Sequence, residues 1–90
     1  MPIQPYRTTP VFNQDSLPQA LRQRHNTKAG VWGVARVLEG RVRLHYLDPP
    51  GRIDLDPETA GLLLPQQLHY VELLGPMKMQ VEFYDQSPEI

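Results

Sequence analysis

The sequence predicts an all-β domain, folded as a small sandwich or a closed barrel, on two observations. Ten prolines and six glycines are scattered through only 90 residues; they would break helices repeatedly, yet they suit the turns between short strands. Between those breakers the apolar residues recur with period two, giving about six to eight short strands at hairpin-like spacing. Ninety residues make one domain. A chain this short buries only about two-thirds of the surface its unfolded form exposes, so a homodimer is expected to supplement a thin core.

Along the chain, residues 1–15 are polar and proline-bearing and read as an extended arm with an edge strand near residues 6–12. Residues 16–86 then form the domain, and residues 87–90 a frayed tail. Over residues 17–24 the apolar positions Leu17, Ala20 and Leu21 are too few for a firm helix, and Pro18 would have to sit in its first turn. A strand or irregular segment is expected there. From Val31 onward, Trp32, Val34 and Leu38 alternate with Gly33, Ala35, Val37 and Glu39 as a buried strand. Gly40 then predicts a tight turn into a strand with Val42, Leu44 and Tyr46 on one face and Arg41, Arg43 and His45 on the other.

Two prolines and a glycine at residues 49–51 mark a loop, Ile53 and Leu55 a short strand, and Leu62, Leu63 and Leu64 a buried strand that Pro65 ends. In the following strand His69 shares a face with Val71 and Leu73, opposite Tyr70, Glu72 and Leu74. After a Gly75-Pro76 turn, Met77, Met79, Val81 and Phe83 alternate with Lys78, Gln80, Glu82 and Tyr84.

Nine basic and ten acidic residues leave a formal charge of −1. No run of like charge is long enough to attract nucleic acid. There is no cysteine, so neither a disulfide nor a thiolate metal site contributes. The proline-interrupted start lacks an apolar run, so a leader or membrane anchor is not expected and the cytoplasm is the default location.

No phosphate-binding glycine loop, nucleophile elbow or HExxH motif is present. The candidate chemistry therefore rests on histidine. His25 opens the polar stretch before the first long strand, and His69 points where apolar residues point. Two imidazoles from separate segments can meet on a divalent ion such as zinc, iron or nickel, or on a small polar ligand. Equally, each can be a hydrogen-bonded histidine that fixes its turn. Two nitrogens do not complete a metal shell, and Glu72 is the nearest carboxylate, although alternation puts it opposite His69 unless a bulge intervenes. His45 reads as part of a solvated strand surface, and Met77 and Met79 as core fillers. Arg36, in phase with Trp32 and Val34, is a candidate for an inward guanidinium holding an anion, Trp32 for a pocket wall, and Lys28 for an electrostatic partner of a bound anion.

The run His25-Asn26-Thr27-Lys28, Gly30, Trp32-Gly33 and Val37-Leu38-Glu39-Gly40, with the second block Leu64-Pro65-Gln66-Gln67-Leu68-His69 and Val71-Glu72, resembles the small cupin-like domain of the tellurite-resistance family. The resemblance implies a single cupin-like β-barrel of the jelly-roll, double-stranded β-helix type, with His25 in its first motif and His69 in its second. In that family the domain occurs alone or in front of a methyltransferase that uses S-adenosylmethionine; no glycine-rich cofactor loop stands in these residues, so methyl transfer is not carried over. Thr27 stands where many metal cupins have a second histidine, and Trp32 or Gly33 where they have a glutamate. The resemblance implies a pocket that holds a metal ion or a small polar or oxyanion ligand, in a response to toxic oxyanions. A small metal-dependent enzyme and an interaction module with a vestigial pocket are the alternatives.

Overall fold

Four of the short strands expected from the sequence are the halves of two long ones. The computed structural model describes residues 3–88; residues 1, 2, 89 and 90, the ends of the expected arm and tail, lie outside the described residues. It contains β1 (Arg7–Thr8), β2 (Phe12–Asn13), a 3-10 turn (Gln19–Arg22), β3 (Trp32–Leu47), β4 (Pro50–Leu55), β5 (Gly61–Leu63) and β6 (His69–Tyr84). All strand pairs are antiparallel, and β3 and β6, 16 residues each, lie side by side in the middle of the sheet. β1 and β2 pair with the far edge of β6, and β4 and β5 with the far edge of β3.

Irregularities rather than turns occupy the expected hairpin positions. Pairing runs from Val37 opposite Met79 to Glu39 opposite Lys78, leaving Leu38 as an extra residue. It then passes from Gly40 opposite Met77 to Val42 opposite Leu73, so Leu74, Gly75 and Pro76 face Arg41 alone. Bulges of this kind bend strands and increase their twist. Gly40 has φ +76°, and a Cβ there would stand 2.3 Å from the Pro76 carbonyl oxygen, so only glycine lets the two strands cross this closely.

The extra residue also switches the inward phase of β3. β6 keeps Val71, Leu73, Met77, Met79 and Val81 inward, whereas β3 turns inward at Ala35 and Val37 before the bulge and at Val42, Leu44 and Tyr46 after it. Leu38, expected on the buried face, is exposed in consequence. Leu55 and Leu63 from the flanking strands complete the core with Leu17 and Leu21 from around the 3-10 turn. Burial of these apolar side chains is the main stabilising term.

The all-β class stands, but the closed barrel does not form. β1 and β2 on one edge are not hydrogen-bonded to β4 and β5 on the other, so the described residues make one open, bent antiparallel sheet. Residues 17–24 hold a 3-10 turn rather than a strand, because Pro18 at φ −56° presets its start and its carbonyl accepts the Leu21 N–H at 3.0 Å. Pro88 is buried. No helix among the described residues is long and apolar enough to cross a membrane.

Candidate functional site

Between the 3-10 turn and β3, the chain crosses the open side of the sheet and is held at two points. At the first, His25 and the opening residue of β6, His69, exchange both backbone hydrogen bonds, at 3.1 and 2.9 Å. Directly opposed residues of an antiparallel pair present their side chains on one face. The two imidazoles therefore meet, with ring centroids 4.1 Å apart and planes 66° to one another. At the second point Thr27 bridges to Pro65; its hydroxyl donates to the Leu64 carbonyl at 2.6 Å and accepts the Gln66 N–H at 3.1 Å. The Thr27 hydroxyl thus serves as a clip.

Each imidazole is oriented by the backbone two residues earlier. His25 Nδ1 lies 3.0 Å from the Gln23 carbonyl oxygen, and His69 Nδ1 lies 2.8 Å from that of Gln67. A carbonyl only accepts, so both Nδ1 atoms carry the proton, and in the neutral rings each Nε2 keeps a free lone pair. His69 is 1% exposed. Burial lowers its pKa below the ordinary 6.5, helped by the neighbouring His25 and opposed by the Gln67 hydrogen bond, so the ring is neutral at pH 7.

The pair opens on a cavity of about 250 Å³ enclosed by the concave face of the sheet, the 3-10 turn and the arm. Its inner wall is apolar, with Leu21, Leu44, Leu63, Val71, Met79 and Val81, and Phe83 and Tyr6 add aromatic surface. Its polar groups are His25, Asn26, Thr27, His69 and two cations, Arg7 and Lys28; no carboxylate lines it among the described residues. Arg7 pairs with Phe83 in the second half of β6, while His25 pairs with His69 at the start of the first. The bend at residues 74–76 brings both ends of that strand to one cavity.

Of the six candidate residues, His25, His69 and Lys28 line this cavity, whereas Glu72, Trp32 and Arg36 do not. Glu72 is on the outer face, where its carboxylate lies 2.7 Å from His45 Nε2, and His45 stacks on Tyr70 at 4.4 Å. No bulge intervenes between residues 69 and 72 to turn it inward. Trp32 and Arg36 do share a face with Val34, but it is the outer face, because β3 turns Ala35 and Val37 toward the core. There Arg36 Nε donates to Glu82 Oε1 at 2.7 Å, and that carboxylate raises the guanidinium pKa further. Met77 and Met79 are buried in the core. The donor set does not fit a complete metal shell: two imidazole nitrogens meet, and no group of three or more His, Cys, Asp or Glu able to hold an ion occurs among the described residues. Tyr6, Arg7 and Asn26 were not legible as site residues; an arm arginine carries no period or motif that would assign it to a pocket.

The profile of the TehB-like domain matches residues 7–81. The chain belongs to the TehB-like domain family. Two curated relatives from Haemophilus influenzae, strains 10810 and KW20 / Rd, each described as a probable S-adenosyl-L-methionine-dependent methyltransferase TehB, are 36% identical over 75 residues, 78% of this chain and 26% of theirs. This chain therefore spans about a quarter of the length of those relatives, and the methyltransferase description is theirs. The crystal structure of TehB from Haemophilus influenzae superposes with TM-score 0.82 at 31% identity, covering 92% of this chain and 31% of that one. A crystal structure of a protein from E. coli strain K12 superposes with TM-score 0.84 at 22% identity over 97% of this chain and 93% of that one, so the fold also forms nearly the whole of a short chain.

Proposed function

We propose that this TehB-like domain is a ligand-binding module whose cavity takes a small anionic molecule at Arg7 and Lys28, beside the His25–His69 pair. One observation carries the reading: Arg7 and Lys28, with His25 and His69, line an otherwise apolar cavity that holds no carboxylate among the described residues. Ligand sites are typically apolar clefts with a few convergent polar groups, and two cations with no carboxylate beside them in the cavity lining among the described residues favour an anion. A role in resisting toxic oxyanions is suggested by the family alone.

The experiment follows the ring resonances of His25 and His69 by NMR during titration with tellurite, selenite, benzoate and, as a separate arm, zinc. Saturable shifts of both rings with at least one anion, abolished in Arg7→Gln/Lys28→Gln, are expected. No response to any anion, or a response to zinc alone, would overturn the proposal.

A further inference from the structure

The cavity is too large and too apolar for a simple inorganic oxyanion. A cavity of 150 Å³ is known to accept benzene, with six non-hydrogen atoms; on that scale about 250 Å³ accommodates a body of about ten. A trioxyanion has four, and it would leave Leu63, Val71, Met79 and Val81 facing water. The polar groups demand two different things. Arg7 and Lys28 call for negative charge, whereas the neutral ring of His69, its Nδ1–H held by the Gln67 carbonyl, keeps at Nε2 an acceptor that repels an oxyanion and calls for an O–H or N–H donor. Phe83 lines the cavity and Tyr6, 58% exposed, stands at its edge, so aromatic faces are offered both inside and at the entrance.

From this geometry we infer that the ligand is a compact aromatic carboxylate bearing a hydroxyl group. The carboxylate pairs with Arg7 and Lys28, the ring packs on the apolar wall, and the hydroxyl donates to the Nε2 of His69 or His25. The inference rests on the proposed anion-binding cavity and specifies its ligand class.

Isothermal titration of the full chain with the three hydroxybenzoate isomers, benzoate and tellurite tests it, with the His25 and His69 ring signals as a second readout. At least one hydroxybenzoate is expected to bind saturably. Benzoate should bind about tenfold more weakly, the loss of one buried hydrogen bond. Arg7→Gln/Lys28→Gln should weaken both by about tenfold or more, and because both side chains lie at the cavity edge, thermal melting checks that the variant remains folded. Equal affinity for benzoate and every hydroxybenzoate would refute the hydroxyl contact. Binding of tellurite without any aromatic acid would overturn the inference and leave the anion cavity standing, whereas silence from every probe would remove both.

Discussion

Replacing Thr27 by valine removes one hydroxyl and keeps the shape, so it isolates the clip that holds the site's outer wall. Two hydrogen bonds disappear, from the Thr27 hydroxyl to the Leu64 carbonyl at 2.6 Å and from the Gln66 N–H to the hydroxyl at 3.1 Å. Neither backbone group is orphaned, because Leu64 O still accepts from Gln67 N–H at 3.1 Å and Gln66 N–H still donates to Thr27 O at 3.0 Å. The loss is therefore the net value of two hydrogen bonds, about 2 kcal/mol, without the further penalty of an unpaired buried group. For a domain of this size that lowers Tm by about 8–16 °C. Urea unfolding followed by tryptophan fluorescence measures it, and an unchanged m-value would locate the effect in the folded state. A loss under about 0.5 kcal/mol would refute the reasoning that Thr27 anchors the crossing segment.

Other perturbations separate the bend, the titrating ring and the outer ion pair. Gly40→Ala meets both a positive φ and the Pro76 carbonyl, so it should cost about 2–4 kcal/mol in urea unfolding; a neutral result would contradict the close crossing of β3 and β6. His69 has a folded pKa below 6.5, so the unfolded chain binds protons more readily: its contribution to stability is full above the unfolded pKa and is lost as pH falls through the folded one. Unfolding free energy should thus decline from about pH 7 downward, and more steeply than in His69→Gln; parallel profiles would refute the assignment. Arg36→Gln removes the contact to Glu82, but with the arginine side chain 41% exposed the loss should stay below about 1 kcal/mol, and ligand binding should not change, since Arg36 is outside the cavity. Light scattering at twice the chain mass would support the homodimer expected from the thin core; a monomer would contradict it.

The strand content was readable because period-two alternation survives along β6, where every inward residue from Val71 to Val81 is odd-numbered. The strand count was not, since Gly40 and Gly75-Pro76 have the composition of turns and only the packing of one against the other makes them bends within long strands. Leu38 shows the same limit: a single extra residue reverses the phase of β3, and nothing local distinguishes it from a core leucine. Period-two counting grouped Arg36 with Trp32 and Val34 correctly, but it cannot say which face of a sheet is concave. His69 was legible as inward-facing from Val71 and Leu73. Its meeting with His25 depends on a backbone pairing across 44 positions, and the entry of Arg7 depends on β1 pairing with the far half of β6.

Two imidazoles, each with Nδ1 against a backbone carbonyl, line one cavity. Long-range proton–nitrogen correlation NMR of the ligand-free protein at pH 7.5 reads the tautomer of each ring directly. Nδ1–H on both His25 and His69, with both Nε2 signals moving together as an anion is added, is the predicted result. A proton on either Nε2, or Nε2 signals that stay fixed while ligand binds elsewhere, would contradict it.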